Sequence, residues 1–434
     1  MISVGIIVPS WRYFIDPLKL QPLWELYYAT LLEERDPEVS VEITDLRHEN
    51  VRDDYSVIPE KDIYLYWVMK SADSPEVYGI VRYLRKAYPN ALHIAGGTHV
   101  DNCPEESAEV FDTIFNGTAE ESLISAMADF KRKDMKKSYV PNMPTPFKDY
   151  SHARRDFLPA TTIADNKHFA QYGGELSTTA YLSRGCSFRC NFCVYNWPPK
   201  FELRTPEQIT HELEYLKREY HIEAINLKDE VSIPVNKNDA IACLEAIGKA
   251  GISWRGQTVP VVSEELVSLA KQSGCVELAI GLENVVSDEI LKISNLKKNP
   301  GVEKSRQFIH LLKRYGIHVK VCLVFGLPGE PKDVVEKTIA FLEDTQPEFV
   351  ALSAMDPVPG SPIYLNKEKY GIKSIGDDLS KHAHLLYRFG DDEEVGLPFE
   401  YEETTQWGKS LTKGEILGNI QELQQYLREK KMIY

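Results

Sequence analysis

Three cysteines lie within eight residues of one another in the stretch RGCSFRCNFCVY, residues 184–195. They are Cys186, Cys190 and Cys193, and their spacing is C-x3-C-x2-C. Thiolates bind zinc and iron–sulfur clusters, and three of them on one short loop can face a single centre. A structural zinc site usually takes four ligands, and the sequence has no second C-x2-C pair. An iron–sulfur cluster also usually takes four thiolates, so a loop with three leaves one iron open to another ligand.

The remaining cysteines are scattered, and they are Cys103, Cys243, Cys275 and Cys322. We predict that they are single buried thiols, because a free cysteine packs as a small hydrophobic residue. A secreted disulfide framework is not indicated. The aromatic and proline residues that follow the cluster, at 195–199, could line a substrate pocket or pack beneath the loop.

The composition is that of an ordinary globular protein of two or three domains, with 434 residues of which 43% are hydrophobic and 26% charged. The net charge of −15 argues against a nucleic acid or an anionic membrane as the partner. The N-terminal run MISVGIIVP lacks the basic leader and cleavage site of a signal peptide and predicts a buried strand. No apolar run approaches the roughly 18 residues of a membrane-spanning helix. These features predict a cytoplasmic protein without a transmembrane segment.

Short apolar runs alternate with amphipathic stretches through residues 1–135. The pattern predicts five strands separated by helices, with Ser74 as the cap of the helix at 74–89. Such alternation is typical of a doubly wound parallel sheet, as in Rossmann-like α/β domains. The following residues, 136–175, are rich in basic residues, proline and turn formers, and they predict a linker.

The alternation resumes in residues 176–370, where six strand–helix units predict a partial, open (β/α)6 barrel. The helix at 205–220 has strong start signals, since Thr205 can cap it and Gln208 can close a capping box. Active sites in such barrels lie at the carboxyl ends of the strands. The cysteine loop follows the first strand and should therefore lie at that end. Residues 371–434 predict a small α-rich segment with a closing helix at 413–432.

With these elements in place, residues 176–365 resemble the radical S-adenosylmethionine (SAM) superfamily. The resemblance rests on the cysteine loop after the first strand and on four further stretches: NLKDE (226–230), IGLENVVSDEILKISNLKK (280–298), VFGLPGE (324–330) and PVPGSPIY (357–364). It implies that the three cysteines ligate a [4Fe–4S] cluster whose open iron binds SAM. It also implies a set of SAM contacts: Phe192 near adenine, Asp229 or Glu230 at the amino group, Glu283 near the ribose or methionine, and Phe325 with Gly326 along adenine.

The N-terminal stretches IAGGTHVDNCPEE (94–106) and FDTIFNGTAEESL (111–123) resemble a cobalamin (B12)-binding-type domain. The resemblance implies cobalamin contacts at strand ends, where glycine permits close backbone approach: Ser71, Gly96, Gly97, Thr98, Gly117 and Glu120. Two features depart from the pattern. No Asp-x-His-x-x-Gly segment follows the first strand, and the bulky Tyr66 and Trp67 stand where small residues often leave room for the nucleotide tail. We predict that His93 is a core residue and His99 a loop residue, rather than axial ligands.

The resemblance implies an enzyme in which one electron from the cluster cleaves SAM to a 5′-deoxyadenosyl radical. With cobalamin bound, the predicted reaction is methyl transfer to an unactivated carbon or to phosphorus of a small metabolite. Without it, the alternative is a radical cyclisation, rearrangement or carbon–carbon bond formation on a metabolite or lipid. A non-catalytic cobalamin or metal sensor is the alternative of another class, and it would not need the SAM-binding stretches. The implied partners are a small-molecule substrate and an electron donor such as flavodoxin or ferredoxin.

Overall fold

A computed structural model describes residues 1–14, 16–141, 146–194, 201–382 and 397–433. The N-terminal part is built on a six-stranded parallel sheet with the order β2-β1-β3-β4-β5-β6. Its strands are β1 Ile2–Val8, β2 Val39–Asp45, β3 Ile63–Trp67, β4 Leu92–Gly96, β5 Thr113–Phe115 and β6 Ser138–Tyr139. Five of these are the predicted strands. The sixth comes from the segment predicted as a linker, and it pairs with β5 through Ile114 and Phe115.

Helices cover both faces of this sheet, as the doubly wound prediction requires. They are α1 Leu23–Arg35, α2 Ser74–Ala87, α3 Thr98–Asn102, α4 Pro104–Val110 and α5 Glu120–Arg132. One apolar core includes residues of α1 and α5, and a second, on the other face, includes residues of α2. Helix α2 begins at Ser74, with Asp73 at the N-cap position and no capping hydrogen bond from its side chain, so the predicted start is one residue late.

The second sheet also has six parallel strands, in the order β14-β13-β12-β11-β10-β7. They are β7 Ser177–Ala180, β10 Ala224–Leu227, β11 Ser253–Thr258, β12 Cys275–Glu283, β13 His318–Phe325 and β14 Phe349–Ala354. Between β7 and β10 along the chain, the two short strands β8 Ser183–Arg184 and β9 Glu202–Leu203 form an antiparallel pair. Strands β7 and β14 are the two edges, and no ladder joins them within the described residues. The predicted partial, open barrel is therefore confirmed.

The barrel helices follow the strands in the predicted alternation. They are α6 Pro206–Tyr220, α7 Lys237–Ala250, α8 Glu264–Gln272, α9 Asp288–Ile293, α10 Val302–Arg314, α11 Val334–Thr345 and α12 Pro362–Leu365. The predicted capping box of α6 is present: the Thr205 hydroxyl accepts from the Gln208 backbone N–H, and the Gln208 side chain accepts from the Thr205 N–H.

Residues 146–172, within the predicted linker, pack closely against the rest of the protein in short 3₁₀ turns. Phe147, Tyr150 and Phe169 are buried. Arg155 is fully buried, where it donates to the Thr179 carbonyl at 3.0 Å and pairs with Glu212 at 3.5 Å. This segment therefore fixes the two sheets to each other rather than connecting them loosely.

The C-terminal part joins both sheets. It contains two short antiparallel pairs, β15 Ile372–Ile375 with β16 Phe399–Tyr401 and β17 Thr404–Thr405 with β18 Gly408–Lys409, and the closing helix α13 Lys413–Glu429. The turn Leu379–Lys381 packs on α2 and on the turn Ser71–Asp73 of the N-terminal part. His382, next to this turn, hydrogen-bonds Asp356 beyond β14 at 2.8 Å. Among the described residues, none of the helices has the length and apolar character needed to cross a membrane.

Candidate active site

A cavity of about 420 Å³ lies between the carboxyl ends of the two sheets. The barrel contributes the cysteine loop and the inward faces of four strands, and the N-terminal part contributes residues that follow β1 and β3 together with the start of α1. The residues that line the cavity include Trp11, Tyr13, Phe14, Trp24, Glu25, Trp67, Met69, Lys70, Cys186, Cys190, Phe192, Cys193, Lys228, Glu230, Ala279, Gly281, Glu283, Lys298, Lys320 and Cys322. Both sheets therefore present the end at which α/β proteins bind ligands.

The cysteine loop leaves and returns through a clamped stem. Strands β8 and β9 pair with each other, and the Arg184 guanidinium donates to Glu202 on the opposite strand at 2.6 Å. The same guanidinium forms an ion pair with Glu120 at the start of α5, and it lies 5.0 Å from the centre of the Phe147 ring. Arg184, Glu120 and Glu202 are all buried to more than nine-tenths. The stem is thus fixed to the N-terminal sheet as well as to the barrel.

All three cysteines of the loop line the cavity. Cys190 is buried, while Cys186 and Cys193 are half-buried. Burial raises the pKa of Cys190 to about 11, although Lys298 opposes this shift, and burial also raises the pKa of Cys186. Burial thus favours the protonated form of these two thiols, and metal binding must release their protons.

The donor set fits a cluster better than a single ion. Four sulfurs around one tetrahedral zinc lie about 3.8 Å apart, given a Zn–S bond of about 2.3 Å. Within the described part of the chain, three ligand atoms come within 4.8 Å of one another only at His99, Cys103 and Glu106. The loop cysteines are spaced more widely, and three thiols facing one cavity suit a multi-iron centre.

The two acidic residues after β10 differ in their surroundings. Asp229 accepts from the backbone N–H groups of Leu182 at 3.0 Å and Ser183 at 2.5 Å, so it holds the turn that leads into the cysteine loop. Glu230 lines the cavity, and its Oε2 is buried without a hydrogen-bond partner in the described residues. Burial raises the pKa of Glu230 to about 7. Of the two candidates for the SAM amino group, Glu230 is the one that faces the cavity.

Glu283 ends β12 in a strained backbone conformation with φ of 62°. Its carboxylate forms an ion pair with Lys298, and both residues line the cavity. A Cβ at Gly281 would come within 2.6 Å of the Lys298 amino group, so glycine there leaves room for the pair. Burial opposes the charge of Lys298, but Glu283 outweighs it and raises the lysine pKa. Lys298 was not predicted as a site residue, although it ends the quoted stretch IGLENVVSDEILKISNLKK.

Of the three predicted adenine contacts, one lines the cavity and two do not. Phe192 is buried and lines the cavity. Phe325 and Gly326 lie at the end of β13, outside the cavity lining. The Gly326 N–H donates to Glu330 at 2.8 Å, and its carbonyl accepts from the Tyr401 hydroxyl at 2.7 Å. This edge of the barrel therefore packs on the C-terminal part.

The predicted cobalamin contacts gather at the carboxyl edge of the N-terminal sheet, and four of the six are engaged with other protein groups. The Trp67 ring lies over Gly96 so closely that a Cβ there would collide with it. The Ser71 hydroxyl is hydrogen-bonded to His99 at 3.1 Å. Gly97 faces the Val68 backbone. The remaining predicted contacts are Thr98 and Gly117, which line a separate cavity of about 340 Å³, and Glu120, which pairs with Arg184.

Aromatic side chains fill the core under β3 and β4. Tyr66 is buried, and its hydroxyl hydrogen-bonds His93 at 3.0 Å; Tyr64 stacks on the same imidazole with ring centres 5.4 Å apart. His93 is therefore a core residue, as predicted, and burial lowers its pKa to about 4. The prediction for His99 was wrong: it is buried in α3, where Tyr78 hydrogen-bonds its second nitrogen at 2.9 Å. Tyr66 therefore fills the place where small residues often leave room for a nucleotide tail, as its bulk suggested.

Sequence reasoning missed four further charged residues of the cavity: Glu25, Lys70, Lys228 and Lys320. A signal was present, because Lys228 stands two residues before Glu230 and Lys320 two before Cys322. Alternate residues of a strand face the same side. The predicted aromatic group at 195–199 lies outside the described residues.

A half-barrel with three thiols at its mouth, closed by a doubly wound sheet, defines a cluster-dependent enzyme whose reaction chamber is shared by two sheets. Residues 181–342 match the model of the radical SAM superfamily. This part of the chain is therefore a radical SAM domain, and the N-terminal part has a Rossmann-like, doubly wound fold. The family implies a [4Fe–4S] cluster and SAM as its cofactors.

Known proteins with this architecture are similar along most of the chain. The anaerobic magnesium-protoporphyrin IX monomethyl ester cyclase of Cereibacter sphaeroides is 23% identical over 85% of this chain, which spans 60% of that protein. The bacteriochlorophyllide d C-8(2)-methyltransferase of Chlorobaculum tepidum is 22% identical over 93% of this chain and 88% of its own. The structure of the radical SAM methyltransferase TsrM from Kitasatospora setae, with cobalamin and [4Fe–4S] cluster bound, matches with a TM-score of 0.70 and 14% identity, over 99% of this chain and 90% of that one.

Proposed function

We propose that this radical SAM enzyme transfers a methyl group to a small molecule held in the central cavity. The observation that carries the proposal is the convergence of the three loop cysteines, Glu230 and Glu283 on one cavity that the N-terminal sheet closes. The cluster and SAM supply a 5′-deoxyadenosyl radical when they are bound. An electron donor such as flavodoxin or ferredoxin provides the electron.

The chain's own residues bind, orient and exclude water. The three cysteines hold the cluster, and Glu230 accepts a hydrogen bond from the SAM amino group through its unpartnered oxygen. Lys298 holds the Glu283 carboxylate in place, so that it can face the ribose or methionine. The aromatic side chains of the N-terminal wall keep water away from the reacting atoms, which protects a reactive intermediate from side reactions.

Relatives support methyl transfer as the reaction class. Besides the bacteriochlorophyllide methyltransferase, they include the cytidylyl-2-hydroxyethylphosphonate methyltransferase of Streptomyces wedmorensis, 24% identical over 42% of this chain and 36% of its own. Cobalamin is the methyl carrier that the sequence predicts. In this structure part of the predicted site is filled by protein groups, because Trp67 covers Gly96 and Tyr66 with His93 fills the core beneath. A corrin reaches Gly96 only after the Trp67 ring moves away.

That packing favours a second candidate, a cobalamin-independent radical cyclisation, rearrangement or carbon–carbon bond formation in the same cavity. The choice is tested by reconstituting cluster-free protein with hydroxocobalamin, removing unbound corrin and recording the absorption spectrum. Corrin bands that stay with the protein support cobalamin-dependent methyl transfer. Their absence removes that candidate and leaves the second.

The cluster assignment is tested with Cys190→Ala. We expect the anaerobically reconstituted wild type to hold about four irons and to cleave SAM to 5′-deoxyadenosine, and the variant to lose both properties. Cys243→Ala is the matched control, since Cys243 lies in α7 outside the cavity lining. SAM cleavage that survives in the Cys190 variant would show that this loop does not build the active centre.

A further inference from the structure

Two lysines of the barrel face the cavity below the residues proposed to bind SAM. Lys320 is in β13, where it pairs in register with Ala279 of β12. Ala279 precedes Glu283 by four residues in β12. Because Lys320 is level with Ala279, it lies roughly 10 Å or more farther than Glu283 from the carboxyl ends of the strands. Lys228 directly follows β10, and both lysines line the same cavity as the cysteine loop.

Lys228 has no counter-ion among the residues that the structure describes. Lys298 is paired with Glu283, and Arg255 is paired with Glu277. Within the described ranges, no carboxylate forms an ion pair with the Lys228 ammonium, and no side chain or carbonyl hydrogen-bonds it.

The surroundings of Lys228 are strongly cationic. Burial lowers its pKa to about 7, and the nearby cations add to the shift in the order Lys320, Arg255, Lys70 and Lys19. Burial likewise lowers the pKa of Lys320 to about 8. Both lysines are half-buried, and an ammonium group withdrawn from water is stabilised when an anion pairs with it. The local charge is therefore complementary to a negatively charged ligand.

We propose that Lys228 and Lys320, which line the same cavity, bind an anionic group of the substrate, a carboxylate or a phosphate. This inference rests on the proposed function, since it assigns the substrate of the same cavity. The SAM carboxylate is a different group, because SAM is proposed to sit at the level of Glu230 and Glu283 above these lysines. The anionic end of the substrate thus points to the barrel floor and its reacting end to the cysteine loop.

The opposite wall indicates the rest of the substrate. Aromatic rings of the N-terminal part face the cavity, and they are Trp11, Tyr13, Phe14, Trp24 and Trp67. Such rings bury flat apolar groups favourably. The substrate class is therefore an organic acid or phosphate ester with an apolar, unsaturated or aromatic body.

Equilibrium dialysis of the cluster-reconstituted protein under anaerobic conditions tests this inference. The probes are 1-naphthoate and its neutral counterpart 1-naphthalenemethanol. We expect naphthoate to bind at least about tenfold more tightly than the alcohol, as a charge-assisted hydrogen bond predicts. Lys228→Met and Lys320→Met should lose this preference, Lys228→Arg should retain most of it, and Lys292→Met, at an exposed lysine, should be unchanged.

Inorganic phosphate, added as a competitor, identifies the anionic group: competition with naphthoate indicates a phosphate site, and its absence a carboxylate site. Equal binding of acid and alcohol by the wild type, or an undiminished preference in Lys228→Met, would overturn the proposal. A parallel loss of SAM binding in Lys228→Met would also overturn the proposal, because the lysine would then bind SAM rather than the substrate. SAM binding is measured from the SAM-induced change in the EPR spectrum of the reduced cluster. A wild type that prefers naphthoate but does not cleave SAM would refute the proposed function alone.

Discussion

Arg184 stands two residues before the first loop cysteine and joins the cluster loop to the N-terminal sheet. Its partner Glu120 was predicted to contact cobalamin, because it belongs to a glycine–acid stretch typical of that fold. The structure instead places the Glu120 carboxylate against Arg184, where it also accepts from the Tyr27 hydroxyl at 2.9 Å. A pair separated by 64 residues in sequence leaves no local signal, so its role emerges only from the tertiary structure.

Replacing Glu120 tests this role. We expect Glu120→Gln to lower the free energy of unfolding by roughly 3 kcal/mol or more, since it leaves the buried Arg184 without one of its counter-ions. Chemical denaturation measures the effect, and Glu109→Gln, at an exposed acid of the same domain, is the control. Equal stability of the two variants would show that the Glu202 carboxylate alone suffices for Arg184.

Local spacing identified some site residues and missed others. The three cysteines and Glu230 were predictable, because they belong to stretches of characteristic spacing. Lys298 belongs to the site because it forms an ion pair with Glu283, which is 15 residues away in sequence. Lys320 belongs to it because alternate residues of β13 face the cavity. Asp229 and Glu230 are adjacent, and only burial and hydrogen bonding show that one supports the turn while the other faces the cavity.

At the scale of elements, the turn after β4 depends on Gly97. Its backbone has φ of 104° and ψ of 174°, a region essentially restricted to glycine. We expect Gly97→Ala to destabilise the fold by roughly 2 kcal/mol or more, because strain adds to a contact of its Cβ with the Val68 carbonyl at 2.7 Å. Thermal unfolding measures the loss.

Gly418→Ala in α13 is the matched control. This glycine is exposed, and a Cβ there meets nothing within 4 Å. The same substitution should raise stability by roughly 0.5–1 kcal/mol, as expected within a helix. A Gly97 variant as stable as the wild type would mean that the turn can adopt another conformation.

Long elements with clear boundaries were well predicted. The strand predicted at 318–325 is observed as His318–Phe325, and the capping box of α6 is formed as expected. Strand β6 was missed because its two residues are too few to show periodicity. His99 was assigned to a loop because the five residues of α3 carry no helical pattern of their own. Tertiary contacts decide such short elements.

At the scale of the whole molecule, His382 secures the C-terminal part to the barrel. It hydrogen-bonds Asp356 at 2.8 Å and Gly376 at 3.0 Å, and it is almost fully buried. Burial opposes protonation, but the hydrogen bond to Asp356 outweighs it and raises the His382 pKa. Because the pKa is higher in the folded state, protonation of His382 stabilises the fold. This contribution is complete at pH values below the unfolded-state pKa of about 6.5, and it is lost as the pH rises through the folded-state pKa.

His382→Asn should therefore reduce the free energy of unfolding more at acidic than at alkaline pH. Denaturation curves of the variant and the wild type across that range measure the difference. His310→Asn is the control, since His310 is half-exposed. A difference that does not change with pH would mean that folding does not raise the pKa of His382.

The cavity belongs to neither sheet alone. Trp67 and Lys70 come from the N-terminal part, Lys228 and Cys190 from the barrel, and the buried residues of 146–172 hold the two parts together. The sequence predicted two separate sheets with a linker between them. It did not predict that they share one chamber, because that arrangement depends on packing between residues distant in sequence.

The clamped stem of the cysteine loop has a consequence for the order of folding and metal binding. Strands β8 and β9 and the ion pairs of Arg184 fix the two ends of the loop through contacts between protein groups alone. This differs from zinc fingers, which acquire their fold only with the ion. We therefore expect removal of the metal to leave the stem folded.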